Sequence, residues 1–176
     1  MALSWSHAVL HIRDEATMLD FYGRVLGFDV TDRGPLPGDR EIIFMSQEPE
    51  EHHQIAFLSG RNDDDLPGSL AHLAFRTSGL GELRRIMTAL DSEQVEMRLT
   101  SHGNTWSAYF QDPEGNGVEI FADTPFQVEQ PQGKTWDPAM DDDALLAWTE
   151  ENFKDEPRFG DREAYIEQRR REREDA

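Results

Sequence analysis

Apolar and polar residues alternate from Ser4 to Ile12. Trp5, His7, Val9 and His11 fall on one face and Ala8, Leu10 and Ile12 on the other, which predicts a strand. The period then changes. Asp14 stands where a helix N-cap belongs, and Met18, Phe21, Tyr22 and Val25 recur at helical spacing up to a stop at Gly27. Phe28–Asp32, Glu41–Ser46 and Gln54–Ser59 follow as short strands divided by Gly, Pro and acidic loops. The order is strand, helix, strand, strand, strand.

Asn62–Gly68, rich in Asp, Pro and Gly, is a linker, and after it the same order returns. Ser69–Arg76 is a strand, and a helix capped by Ser78 carries Leu83, Met87 and Leu90. Val95–Leu99, Trp106–Gln111 and Gly117–Ala122 complete the second set. The pattern is an α+β fold of two βαβββ modules, about residues 4–60 and 69–124, in one domain spanning 4–124. From Asp123 the composition shifts. Gln127–Trp136 reads as extended, and two helices are expected in a C-terminal arm over 125–176. The first is Asp141–Phe153, capped by Asp141 and docked by Leu145 and Trp148; the second is Asp161–Arg173. The arm is expected to wrap the domain or a second subunit.

A net charge of -19 argues against nucleic acid and anionic membrane surfaces, since counterion release requires Lys and Arg. With only Lys134 and Lys154 against fifteen arginines, the composition also suits a saline habitat or a high-GC source. The absence of cysteine excludes disulfides, thiolate nucleophiles and sulfur-ligated metals, so any metal must be held by His and Asp or Glu. Neither a signal peptide nor an apolar run of about 18 residues is recognisable, and a soluble cytoplasmic protein is expected.

The richest segment is Thr100–Phe121. Asp112-Pro113-Glu114-Gly115-Asn116-Gly117 is turn chemistry between two strands. Glu119 lies in the second of these, between Val118 and Ile120. A carboxylate buried there must be paired or bound to an ion, because burial of an unpaired charge costs several kcal/mol. His7 opens module one, His72 opens module two and Glu119 ends it, so three candidate metal ligands stand at strand positions of a repeated unit. Two neutral imidazoles and one carboxylate leave a divalent ion with net positive charge and open coordination positions.

The opening Ser6-His7-Ala8-Val9-Leu10-His11-Ile12-Arg13-Asp14, with Leu19-Asp20-Phe21-Tyr22 and Val25-Leu26-Gly27-Phe28, resembles the vicinal oxygen chelate superfamily of glyoxalases, bleomycin-resistance proteins and dioxygenases. The resemblance covers about residues 4–124 and implies paired βαβββ modules forming a cupped mixed sheet around one metal. His102, Tyr109, Asp112-Pro113-Glu114-Gly115 and Glu119 resemble the signature of the type I extradiol ring-cleaving dioxygenases within it. Ala108 departs from the larger apolar residue usual before the tyrosine, and the spacing from His102 to Tyr109 is short. Glu51-His52-His53-Gln54-Ile55-Ala56-Phe57 is similar to the His-His strand of those enzymes.

The resemblance implies His7, His72 and Glu119 as ligands of Fe(II), with Mn(II) as the alternative. It implies His53, His102 and Tyr109 as catalytic groups, Asn104 as a substrate contact and His52 as structural. It further implies a small aromatic diol and O2 as reactants, a role in aromatic hydrocarbon catabolism, and a homodimer. A glyoxalase-like metal-dependent isomerase or lyase is the nearest rival, but that class adds a carboxylate ligand on the last strand of module one, where Ile55–Leu58 is apolar. A non-catalytic drug-binding resistance protein has no need of the full His, Tyr and Glu set.

Overall fold

The structure is a computed structural model that describes residues 7–36, 38–48, 53–62, 72–129 and 132–174, with the side chains of 169, 170 and 172–174 left out. The chain divides into two compact units. One is built from residues up to 71 with Gln111–Asn116, the other from His72–Phe110 with Gly117–Ala176.

In the first unit, β1 (Ala8–Ile12), β2 (Asp29–Leu36), β3 (Arg40–Ser46) and β4 (Ile55–Ser59) form a sheet in the order β1-β4-β3-β2. The pair β1 and β4 is parallel, while β2 with β3 and β3 with β4 are antiparallel. Leu10 and Ile43 both face Phe57 in register, so Leu10, Ile12, Ile43, Met45, Ile55 and Phe57 share one buried face. Helix α1 (Glu15–Asp20) runs into a π-helical turn, Phe21–Val25, and Met18, Phe21, Tyr22 and Val25 are buried. Tyr22 meets Phe57 edge-on at 4.9 Å.

Asp14 caps α1 as its position predicted, accepting from Thr17 N at 3.0 Å. Gly27 ends the turn at φ +80°, where a Cβ would be strained, and its N–H donates to the Gly23 carbonyl at 3.0 Å. The Asp112–Asn116 turn belongs to this unit. Asp112 Oδ1 accepts from the amides of Glu114 and Asn116 at 3.0 and 2.9 Å, and Tyr22 donates to its Oδ2 at 3.2 Å. Burial pushes the Asp112 carboxyl above its usual range, although its hydrogen bonds pull the other way. Glu114 reaches the start of α1, accepting from the amides of Arg13 and Asp14.

In the second unit, β5 (Leu73–Arg76), β6 (Arg98–Ser101), β7 (Thr105–Gln111) and β8 (Gly117–Asp123) form a sheet in the order β5-β8-β7-β6, with β5 and β8 parallel. Helix α2 (Leu80–Ser92) packs on β8 through a buried stripe of Leu83, Ile86, Met87 and Leu90. Leu73, Trp106, Ala108, Phe110, Val118, Ile120 and Ala122 are buried in the core. Beyond the sheet, β9 (Phe126–Gln127) pairs antiparallel with β10 (Gly160–Asp161), and α3 (Asp142–Phe153) and α4 (Arg162–Glu174) follow as helices.

Several boundaries differ from expectation. Gly79, in extended backbone, occupies the N-cap of α2 in place of Ser78, without a side-chain hydrogen bond. Strand β6 begins at Arg98 rather than Val95. Gln94 turns left-handed at φ +59° and Val95 N bonds back to Leu90 O at 3.0 Å, so the helix end uses those residues. Asp141 does cap α3, accepting from Ala144 N at 2.8 Å. That helix docks through Leu145, Thr149 and Phe153, four residues apart, while Trp148 stays half-buried against Phe153. Thr149 Oγ1 accepts from Trp106 Nε1 at 2.8 Å, and Trp136 Nε1 donates to Ser107 O at 3.3 Å. Trp106 and Phe57 therefore point into the packed layers behind their sheets. Trp5 and His52 lie outside the described residues.

Candidate active site

Strand alternation sorts the second sheet into an apolar back and a polar front. Ala74 stands opposite Glu119 in register, which sets His72, Ala74 and Arg76 on the same side as Glu119 and Phe121. Arg98 stands opposite Tyr109, so these two join that front. Its central group is Glu119, with a side chain only 11% exposed, whose Oε2 lies 3.2 Å from His72 Nε2. Two donors bound to one first-row ion at about 2.1 Å, at right angles, stand roughly 3 Å apart, so this pair has the spacing of adjacent ligands. His72, 41% exposed, keeps its ring open to solvent at the sheet edge, where it meets Tyr109 edge-on at 5.6 Å.

Tyr109 connects the pair to a second histidine. Its hydroxyl hydrogen-bonds to Glu119 and lies 2.9 Å from His102 Nε2. Burial first, then the neighbouring carboxylate, push the phenol up to about 12, while Ser107 and Arg98 pull it down. The Arg98 guanidinium sits over the Tyr109 ring, 4.4 Å from its centroid. His102 Nδ1 in turn meets the main-chain carbonyl of Gln132. The result is a continuous line from His72 through Glu119 and Tyr109 to His102 within one unit. Asn104 lies in the turn after His102, where its carbonyl accepts from Thr124 N at 3.0 Å.

The first unit carries the other sequence-derived groups. His7 immediately precedes β1 and His53 lies two residues before β4. Their rings approach to 4.2 Å between centroids, and His53 packs on Phe44 at 4.8 Å. His7 is exposed and His53 half-buried. Around them the sheet front is apolar: Val9 is 45% exposed, and Phe44 pairs with Ala56 in register. Among the described residues no three His, Asp or Glu side chains gather as a ready metal cluster. His72 with Glu119 is the ligand-like pair.

Two participants escaped sequence reasoning. Arg98 lay within a predicted strand, but its cross-strand partner depends on register. Gln132 contributes a main-chain carbonyl, which no residue type announces.

The chain is 31% identical over 163 residues to biphenyl-2,3-diol 1,2-dioxygenase 2 of Rhodococcus globerulus, covering 82% of this chain and 83% of that protein. It is 34% identical over 125 residues to biphenyl-2,3-diol 1,2-dioxygenase 3 of the same organism, covering 67% and 62%. The fold matches a glyoxalase/bleomycin resistance protein/dioxygenase domain from Frankia sp. EAN1pec, with a TM-score of 0.59, 18% identity and coverage of 70% and 94%. Residues 4–120 match the model of one family, and the chain belongs to it: the glyoxalase/bleomycin resistance protein/dioxygenase superfamily.

Proposed function

We propose that this protein is an extradiol dioxygenase that opens the ring of a catechol-type aromatic diol with O2. The observation that carries the reading is the hydrogen-bonded line of Glu119, Tyr109 and His102, which begins at a ligand-like imidazole and carboxylate pair. The relatives named as biphenyl-diol dioxygenases support it. In this reading residues 4–124 form the catalytic domain, 125–176 an appended arm, and the protein acts as a cytoplasmic homodimer.

His72 and Glu119 would hold the metal, completed by His7. The donor set, nitrogen and oxygen without sulfur, suits Fe(II), with Mn(II) as the alternative. When bound, the ion supplies Lewis acidity toward the diol oxygens and an electron path to dioxygen. The remaining work falls to side chains. Tyr109 donates its single hydroxyl proton toward negative charge on a substrate oxygen, and its high pKa keeps that proton in place at neutral pH. Beside it, His102 accepts and returns a proton through Nε2. His53, on the apolar front of the first unit, is the candidate for handling protons near dioxygen, and Asn104 is a candidate substrate contact. An apolar surface around imidazoles suits an aromatic ring.

A glyoxalase-like isomerase is the second reading. The described β4, Ile55-Ala56-Phe57-Leu58-Ser59, has no carboxylate to act as a fourth ligand, which favours the oxygenase. Anaerobic loading with ferrous iron, followed by 2,3-dihydroxybiphenyl or catechol in air, is expected to give a yellow ring-opened product. A colourless result across a panel of catechols, with about one iron bound per chain, rules the oxygenase out.

A further inference from the structure

The residues that fix His102 come from beyond the family match, which ends at residue 120. Lys134 pairs with Ser101 as a two-sided antiparallel bridge: Ser101 N donates to Lys134 O at 2.8 Å, and Lys134 N to Ser101 O at 2.9 Å. Two residues earlier, the Gln132 carbonyl sits on His102 Nδ1. Gly103, next to His102, is left-handed at φ +80°. A Cβ there would stand 2.5 Å from Val128 Cγ1 and 3.1 Å from Phe153 Cδ1. Thr124 Oγ1 donates to the Gly103 carbonyl at 2.7 Å. Lys134 Nζ meets the Asn152 carbonyl and lies 4.7 Å from the centre of the Phe153 ring. The turn carrying His102 is thus clamped by Thr124, Val128, Gln132, Lys134 and Phe153.

The clamp has a chemical consequence. A carbonyl oxygen can only accept, so the Nδ1 facing Gln132 O must carry hydrogen. In the neutral imidazole that leaves Nε2 as a lone pair 2.9 Å from the Tyr109 hydroxyl, so the phenol's one proton goes to His102 in this state and not to Glu119. The opposite tautomer would set two lone pairs against each other at Nδ1 and remove the acceptor from the reacting side. We propose that the C-terminal segment is a positioning element that locks His102 in the Nδ1–H tautomer, keeping Nε2 as a base toward Tyr109 and the substrate. The tautomer follows from the contact of Nδ1 with the Gln132 carbonyl; its importance for turnover rests on the dioxygenase reading.

The test is 15N-histidine NMR on the full chain above the imidazole titration range, with the His102 signal assigned by its loss in His102→Gln. A protonated Nδ1 is expected, with scalar coupling to the Gln132 carbonyl carbon; a protonated Nε2 overturns the proposal. Lys134→Ala removes the side-chain anchor of the clamp while leaving every proposed site residue intact. It is expected to give mixed tautomers and a several-fold fall in kcat, with KM and bound iron unchanged, a fraction of the roughly 10²–10⁴-fold that proton transfer contributes. An unaltered tautomer in that variant overturns the dependence on the C-terminal segment. An Nδ1–H tautomer without ring cleavage on any catechol would sink the dioxygenase reading alone, whereas ring cleavage with an Nε2–H tautomer would sink only this inference.

Discussion

The two sheets share a topology and put their open faces to opposite use. In the first unit, His7 and His53 lie ring against ring on an apolar front with Val9 and Phe44. In the second, His72, Glu119, Tyr109 and His102 are joined by hydrogen bonds and overlaid by Arg98. One front offers imidazoles in a greasy setting, the other a wired polar relay. The lesson is that a duplicated βαβββ frame fixes where side chains project, while the residue at each projecting position decides whether that face stacks rings or links polar groups by hydrogen bonds.

The largest expected effect is on Glu119, the buried carboxylate at the centre of the relay. Glu119→Ala should empty the metal site, a greater loss than the roughly 10–100-fold in affinity that an outer-shell partner costs. Iron content and ring-cleavage rate, read together, check this, and full iron retention would break the assignment of the second front as the ligand face. Next is His53→Gln, expected to slow kcat by about 10²–10⁴-fold with iron retained, if the first front supplies a proton-transfer group. A loss below tenfold would reduce that front to a wall for the substrate.

Tyr109→Phe comes third, at roughly 10²–10³ in kcat, the cost of one donor aimed at developing charge. Steady-state kinetics with iron quantified would expose a purely structural role as a change in KM alone. The same phenol gives a pH signature in the metal-free protein. Its folded pKa is raised from 10.0 to about 12, so the stability it contributes is complete below pH 10 and is lost as pH rises through 12. Ultraviolet titration of the wild type against Tyr109→Phe should show one phenolate appearing near that upper value. An ordinary titration would mean that both the burial of the phenol and its Glu119 contact are absent in solution.

The smallest effect lies in the first unit, at the turn that ties onto α1. Glu114→Ala removes an acceptor from the Arg13 and Asp14 amides and should cost about 0.5–2 kcal/mol of stability, the range for a lost helix cap. The midpoint of denaturant unfolding measures it, and no shift would show the carboxylate to be idle.

Much of this was legible along the chain. Alternation placed β1 and β8, Asp14 and Asp141 announced their helices by capping chemistry, and Leu83, Met87 and Leu90 marked the core stripe of α2. Boundaries were less legible where two elements compete for the same residues, as at Gln94 and Val95, which complete the end of α2 before β6 can begin. Trp148 looked like an anchor because of its size. The four-residue spacing of Leu145, Thr149 and Phe153 governed docking instead, with the Thr149 hydroxyl accepting from Trp106.

By itself the sequence determined which chemistry is available: imidazoles, a strand carboxylate and a phenol, no thiol, each at a position whose parity sets its face. Only the tertiary structure decided which of these touch. The carboxylate meets His72 and Tyr109 because β5 and β8 adopt one register out of several, and a register slip by one residue would turn Glu119 to the packed side. The contact of His102 with Gln132 was further out of reach. Every residue has the same main-chain carbonyl, so a site built from one leaves no mark in the identity of the residue that supplies it.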